Sequence, residues 1–490
     1  MIRTPQQYIE SLNDGRVIFL EGEQIPDITK HPLYQGAING AAKTYALAND
    51  HRWRDLLTYE ENSERFMFLW KQPRTSEDLL RRREIFITTQ QLGAHLPGMG
   101  PDALAASGII ASRIDERFGT HYTDAVEDFR EHLKKTDVNI TGAITDVKGD
   151  RSLRPSAQAQ HKDFYVRVVD RQKDGIVVRG AKIHISATPL CNEIIVSPCR
   201  AHREEDKDYA VVFATPANAK GITILTQPAH HHQPPEEVGW DWPVHGRRAV
   251  SESMIVFDDV FIPWNRVFMC GEWQFSRDQA WLFGAFHRLY GTTRMVVITE
   301  RFAGAAAAIA EYNGVEKYPH IRKKMAWLAM YSKIIDVMSR AACEHPDIDP
   351  GLGFATPNLL YANIAKYTFA NDRAQASKSL VDIGGGLATD TFCYKDWMNP
   401  RERPLLEKYL GGKEGVPTEH RLRMLRMIKD LTGGNIDGSE IHGEGSLAQQ
   451  EMAMFASADW ERYKAVAKRV AGIPGWEQHP EVGKLPPWHE

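Results

Sequence analysis

The densest run of polar side chains in the sequence is Thr145-Asp146-Val147-Lys148-Gly149-Asp150-Arg151-Ser152-Leu153-Arg154. Lys148, Arg151 and Arg154 supply cations, and Gly149 lets backbone N–H groups come close to an anion, so a phosphate or diphosphate would suit the segment. The same residues also read as a charged loop joining two blocks of chain. A second patch, Ile185-Ser186-Ala187-Thr188-Pro189, sets two hydroxyls at alternate positions. On an extended backbone both face one side, where they can hydrogen-bond the edge of a ligand ring. Two glycine patterns, Gly98-Met99-Gly100-Pro101-Asp102-Ala103 and Gly443-Glu444-Gly445-Ser446-Leu447-Ala448, fit G-x-G-x-x-A. Neither follows a strand-like run, and a dinucleotide loop needs strand, glycines and helix N-terminus in that order, so neither reads as a Rossmann site. Gly384-Gly385-Gly386 lacks phosphate-loop spacing and reads as close approach between packed helices.

Metal and nucleophile signatures are weak. His230, His231 and His232 are consecutive in a proline-rich stretch, so their side chains diverge and no metal is expected there. The five cysteines (Cys191, Cys199, Cys270, Cys343, Cys393) form no C-x-x-C pair. They give neither a local iron–sulfur signature nor a disulfide framework, and they suit a reducing, cytoplasmic setting. No G-x-S-x-G nucleophile elbow is present. Sixty Lys+Arg against 64 Asp+Glu give a net charge of −4, without the basic footprint of a nucleic-acid binder. The start of the chain lacks the apolar core of a signal peptide, and the apolar stretch Ala303 to Ala310 is too short to span a bilayer.

Positioning these residues requires elements that periodicity divides into three blocks, and 490 residues suit roughly three domains. Residues 1–140 read as helical, with helices expected over Glu61–Trp70, Ser76–Leu92 and Asp124–Lys135 and a loop over Gly93–Gly100. Residues 141–275 read as strands: a hairpin of Asp163–Val169 with Ile176–Ile185, then Glu193–Val196, Tyr209–Ala214, Gly221–Leu225 and Ser253–Phe257. The proline-rich insert Gln227–His245 reads as a long loop. Residues 276–490 read as helices again, over Met295–Tyr312, Ile321–Cys343, Asn358–Ala388, Arg403–Tyr409 and Thr418–Leu431. Helix, then strand, then helix argues for an α+β fold over an alternating βαβ one.

With these segments in hand, the sequence resembles the flavoprotein family that groups 4-hydroxyphenylacetate 3-hydroxylase with 4-hydroxybutyryl-CoA dehydratase. The resemblance runs through Tyr8–Arg16, Thr145–Arg154, Gly180-Ala181-Lys182, Phe257–Trp264, Lys408–Gly412 and His442–Ser446. It implies an acyl-CoA dehydrogenase-like architecture: an N-terminal helical domain, a central antiparallel β-barrel and a C-terminal helical bundle that builds a homotetramer. It also implies FAD in a groove between barrel and helices. Gly142, Ala143, Ile144, Thr145, Lys148, Gly149, Asp150, Arg151, Ser186 and Thr188 would contact the flavin, with Gly445 and Ser446 from the C-terminal side.

The two branches of the family imply different chemistry. The dehydratase branch holds a [4Fe–4S] cluster through three cysteines and a histidine. Two of the cysteines belong near Ala94 and Gly98, and the remaining pair of ligands belongs near Phe286–Arg294, where this chain has His287 but no cysteine. A cluster is therefore not expected, although the wording of Thr145–Arg154 is nearer that branch. The hydroxylase branch binds its phenol through an R-x-x-D-Y pattern and a histidine, at positions that here read Met99, Asp102, Ala103 and Gly142. Three polar phenol contacts are thus replaced, and a wider, more apolar pocket is expected, with Met99, Asp102 and Ala103 beside the substrate. The resulting expectation is a two-component monooxygenase. Reduced FAD comes from a separate NAD(P)H:flavin reductase, and a C4a-hydroperoxide transfers oxygen from O2 to an aromatic or related small substrate, with His287 or Tyr290 as acid/base or hydroxyl donor. The alternative is a cluster-free flavin-dependent acyl-CoA isomerase or dehydratase.

Overall fold

In the first block, Thr75 accepts the Asp78 N–H and so starts the Ser76–Gln91 helix. The Met99–Phe118 and Tyr122–Thr136 helices pack beside it around Leu79, Leu104, Ile109, Val126 and Phe129. The helix expected over Glu61–Trp70 does not form. Thr58–Glu61 and Glu64–Met67 pair as an antiparallel hairpin. Asn62 (φ 51°) and Ser63 (φ 66°) both adopt the left-handed conformation, which reverses the chain with the twist that a two-residue hairpin needs. The computed structural model describes residues 2–95, 99–227, 235–244, 252–433, 441 and 443–488. His230–His232, Gly98 and His442 lie outside these described residues.

Among the described residues the central strands form two sheets, of six and four strands, rather than one closed barrel, apart from two small two-stranded pairs. The six-stranded sheet runs Glu23–Gln24, Val17–Leu20, Ile222–Thr226, Glu252–Pro263, Gly175–Ser186, Arg167–Arg171. The four-stranded sheet runs Val267–Cys270, Val211–Pro216, Glu193–Val196, Ile140–Ala143. Pairing is mixed, because Val17–Leu20 lies parallel to Ile222–Thr226 and Ile140–Ala143 lies parallel to Glu193–Val196. The first of these brings a strand from the helical N-terminal block into the central sheet. Ile176, Val178, Ile194, Val196, Phe213, Ile255 and Phe257 fill the space between the sheets, where Phe213 meets Phe257 edge-on with ring centres 5.9 Å apart.

The insert read as a loop contains a helix, Pro235–Asp241. Its Trp240 stacks on Trp397 at 5.6 Å, and Arg426 pairs with Asp241 at 2.8 Å. Tertiary contacts with distant helices therefore hold a segment whose prolines argue for irregular chain. In the last block the first helix begins well before Met295 and runs unbroken over Ser276–Tyr312. It packs against Pro319–Glu344, Leu359–Gly384 and Thr418–Gly433 through Val296, Phe302, Leu328, Phe369, Leu380 and Leu425. No helix among the described residues is long and apolar enough to cross a membrane.

Helical and β regions meet most closely where the Met99–Phe118 helix crosses the Ile140–Ala143 strand. A Cβ on Gly100 would sit 2.2 Å from an Ile140 side-chain carbon and 2.6 Å from the Ile140 carbonyl oxygen. A Cβ on Gly142 would sit 2.8 Å from the Met99 carbonyl oxygen. Both positions need glycine because backbone is the obstacle and cannot swing aside. Gly100→Ala should destabilise the protein by about 1–3 kcal/mol in urea unfolding, the usual range for overpacking; an unchanged midpoint would contradict this packing.

Candidate active site

Asp102 sits in the first turn of the Met99–Phe118 helix and is 1% exposed. Its Oδ1 accepts from Arg82 Nη2 at 3.2 Å, and its Oδ2 lies 3.2 Å from His287 Nδ1. Arg82 comes from the Ser76–Gln91 helix and His287 from Ser276–Tyr312, so one carboxylate joins three helices. Burial pulls the Arg82 guanidinium below its ordinary value, with Asp102 opposing the shift. A carboxylate facing Nδ1 fixes the proton on that nitrogen and leaves Nε2 as the exchanging one. His287 stacks between Phe283 and Tyr290, with ring centres at 5.1 and 5.7 Å. Phe86 meets Tyr290 edge-on at 4.9 Å. The two expected catalytic side chains, His287 and Tyr290, thus stand together on one helix face, at i and i+3.

The expected substrate positions divide. Met99 is partly buried and touches Gly142 across the helix–strand crossing, whereas Ala103 is fully buried within the helical core. Asp102 faces its own ion pair. The flavin positions divide too. Ile140–Ala143 carries Gly142 and Ala143, and Thr141 Oγ1 donates to the Ser186 carbonyl at 3.2 Å, drawing the Ser186 segment to this strand. Ser186 Oγ donates to Glu252 Oε1 at 2.6 Å, so its oxygen is left to accept from a ligand. Thr188 is different. Ala187 takes a left-handed φ of 59° and Thr188 opens a short 3-10 turn. The extended geometry that would face both hydroxyls one way is therefore broken, and Thr188 Oγ1 is buried, donating to the Ile185 carbonyl.

The Thr145–Arg154 segment is anchored from beneath. Lys182 forms a buried pair with Asp146 at 2.7 Å and donates to the Ile144 and Ser197 carbonyls, and Ile183 N–H reaches the Thr145 carbonyl. Lys148 (φ 77°) and Gly149 (φ 52°) are both left-handed. A Cβ on Gly149 would fall 2.3 Å from Phe164. The amides flanking the glycine are already used: Lys148 N–H goes to the Phe164 carbonyl and Asp150 N–H to Gln158 Oε1. Arg154 is also taken, by Asp206 at 2.6 Å. Asp206 receives Ser156 as well, and these donors hold its carboxyl down at about 2 against the opposing effect of burial. What remains outward is the Lys148 and Arg151 side chains, neither with an ion-pair partner among the described residues. Two cations on a tethered loop suit a diphosphate, so this donor set fits FAD.

At the C-terminal side, Gly445 has φ 107° and Ser446 caps the Leu447–Ser457 helix. Glu444 is buried against Gly291, where a Cβ would lie 2.4 Å from its carboxyl carbon. Arg294 Nη1 stands 3.9 Å from Glu444, with its guanidinium carbon 5.9 Å from the Tyr290 ring centre, so it links this corner to the His287 face. Sequence reasoning missed Arg82, Glu252 and Lys366, the last standing 4.0 Å from Glu444; each comes from a distant segment, and no local spacing marks any of them. Glu444 and Arg294 lay inside segments it singled out, but without a role of their own. A [4Fe–4S] cluster does not fit the residues present, since Ala94 and Phe286–Arg294 offer no thiolate and His287 Nδ1 is turned to Asp102.

Comparison with known proteins places this geometry. The family model described as 4-hydroxyphenylacetate 3-hydroxylase N terminal matches residues 4–269, and its C-terminal counterpart matches residues 276–472. The 4-hydroxybutyryl-CoA dehydratase/vinylacetyl-CoA-Delta-isomerase of Clostridium aminobutyricum is 30% identical over 96% of this chain and 100% of its own length. The 4-hydroxyphenylacetate 3-monooxygenase oxygenase component of Thermus thermophilus is 28% identical, covering 88% and 89%. The FADH(2)-dependent monooxygenase TftD of Burkholderia cepacia is 25% identical, covering 93% and 88%. Among solved structures, the oxygen-tolerant archaeal 4-hydroxybutyryl-CoA dehydratase of N. maritimus superposes with a TM-score of 0.88 at 31% identity, covering 97% and 96%. The oxygenase component of 4-hydroxyphenylacetate 3-monooxygenase complexed with FAD superposes at 0.85 with 25% identity, covering 95% and 98%. End-to-end coverage by both halves of the family model shows that this chain belongs to the 4-hydroxyphenylacetate 3-hydroxylase family.

Proposed function

We propose that the protein is the oxygenase component of a two-component, FADH2-dependent monooxygenase that hydroxylates an aromatic or related small organic substrate. The observation that carries this reading is the side-chain set around His287. Where the dehydratase branch needs cysteines the chain has none, and the histidine is built into a buried Arg82–Asp102–His287 relay instead. A histidine held by a carboxylate is suited to moving a proton at a substrate hydroxyl or ring carbon. Bound FAD supplies the electrons and the site of O2 activation. The protein's residues do the rest. Lys148 and Arg151 would hold the diphosphate, and the Ser186 oxygen would be free to accept from the flavin edge. Asp102 fixes the His287 tautomer so that Nε2 exchanges the proton. Phe86, Phe283 and Tyr290 wall the histidine off from water, which favours productive transfer. A separate NAD(P)H:flavin reductase as partner is supported by relatives named as oxygenase components.

A second reading, a cluster-free acyl-CoA isomerase or dehydratase, has support in the dehydratase relatives at 30% and 31% identity. Oxygen consumption separates the two. With photoreduced FAD, the first reading predicts substrate-dependent O2 uptake with product formation; only peroxide release across a broad phenol panel contradicts it. Anaerobic turnover of vinylacetyl-CoA or 4-hydroxybutyryl-CoA with oxidised FAD would establish the second. His287→Gln should lower turnover by about a hundredfold or more, the usual range for a lost acid/base group, with FAD binding kept; unchanged turnover would remove His287 from the mechanism.

The C-terminal helices support assembly. Met452, Phe455, Trp460, Tyr463, Val466 and Val470 are all exposed along Leu447–Ser457 and Trp460–Ala471. Such a continuous apolar face on an otherwise charged surface suits further copies of the same chain, and a homotetramer is the assembly we propose. Light scattering should then give about four times the 55.5 kDa chain mass; a monomer at micromolar concentration would contradict it.

A further inference from the structure

The Ser276–Tyr312 helix has a second polar face, beside the His287 face, carrying Gly284, Arg288 and Gly291 at i, i+4 and i+7. Glycine on this face and on the facing loop makes room for two charged groups. A Cβ on Gly284 would sit 2.9 Å from Arg288 Nη1, one on Gly445 would sit 3.5 Å from Arg288 Nη2, and Gly291 admits the Glu444 carboxylate. Glu444 is opposed by Arg294 at 3.9 Å and Lys366 at 4.0 Å. Its Oε2 is shielded from solvent and accepts no hydrogen bond among the described residues. Arg288 differs from those two cations. Its Nε is shielded from solvent with no acceptor, and the side chain has no ion pair within 4.0 Å among the described residues. Burial pulls its pKa down to about 10, with Glu444 opposing the shift.

Arg288 is half-buried, with its Nε shielded and without an acceptor; such a donor is costly, and a planar fork of donors is matched by a carboxylate. The diphosphate of FAD has its own cations in Lys148 and Arg151, so Arg288 remains for a different anion. We infer that Arg288 is the seat of a substrate carboxylate, and that the Glu444 Oε2 beside it accepts an O–H or N–H from the same molecule. The site thus takes a small acid bearing a neighbouring hydrogen-bond donor, which on the oxygenase reading is a ring acid. This rests on the oxygenase reading for the reaction but not for the binding, which needs only oxidised FAD and the folded chain. Arg288 is a specificity-determining residue in this account.

Titration of the FAD-loaded protein with salicylate, salicylamide, benzoate and phenol, followed by calorimetry and by the flavin absorbance, tests it. Salicylate should bind at least about tenfold more tightly than salicylamide or phenol, as expected when a charge-assisted pair is lost. Arg288→Gln should abolish that preference while FAD content and thermal midpoint stay at the wild-type values, and Arg288→Lys should restore part of it. Equal affinity for salicylate and salicylamide overturns the proposal, as does failure of every acid to bind. Loss of FAD rather than of acid binding in Arg288→Gln overturns it too, because the anion would then belong to the flavin. Acid binding through Arg288 without O2 uptake would leave this site standing and remove the oxygenase reading; O2 uptake with neutral phenols alone would do the reverse.

Discussion

One buried carboxylate organises this protein. Asp102 lies at the crossing of three helices and is met by Arg82 on one oxygen and His287 on the other. Removing Arg82 would leave the Asp102 carboxylate unpaired in a low-dielectric interior, a defect that costs about 3–5 kcal/mol in comparable buried pairs. The helices are thus held in one relative arrangement by an interaction that also sets the histidine's tautomer. Structure and chemistry share the same group.

From that point the positions of the other elements follow. The Met99–Phe118 helix that carries Asp102 approaches the Ile140–Ala143 strand to backbone contact because both partners have glycine there. The strand in turn draws in the Ser186 segment through Thr141, and Ser186 reaches Glu252 on the neighbouring strand. Across the long Ser276–Tyr312 helix, Arg294 links the aromatic His287–Tyr290 face to buried Glu444. Polar groups therefore stand at both ends of this region, Ser186 and Glu252 on the sheet and Arg294 and Glu444 at the C-terminal loop, with the His287–Tyr290 rings on the helix between the chain segments that carry them. That combination suits a planar cofactor and a small acidic ring more than an extended neutral ligand.

Much of this was legible in the sequence, and the limits have physical causes. Long amphipathic helices and the order of the three blocks follow from periodicity, which local sequence determines. The Thr58–Met67 hairpin is not legible because the apolar residues of Glu61–Trp70 also satisfy helical spacing, while Asn62 and Ser63 decide the matter through two left-handed residues. The Val17–Leu20 strand was lost because its partner, Ile222–Thr226, lies some two hundred residues away. At the site, residue type singles out the Lys148–Arg151 loop, while His287 and Tyr290 come from the resemblance. Type alone did not distinguish Arg151, which faces outward, from Arg154, which Asp206 has claimed. Nor did it show that Thr188 turns inward after Ala187. Arg82 carries no local pattern, and the patterns around Glu444 and Arg288 say nothing of these two side chains; their meaning comes from what stands across from them.

The central claim is that a family scaffold without cluster ligands uses its histidine relay and flavin to place oxygen on a substrate. It is tested most directly by turnover under oxygen-18-labelled O2 with a flavin reductase and a panel of hydroxylated ring acids, read by mass spectrometry of the product. The account predicts one labelled oxygen atom per product molecule, with no label entering from water. Product that forms equally well without O2, or that carries its new oxygen from water, would contradict it.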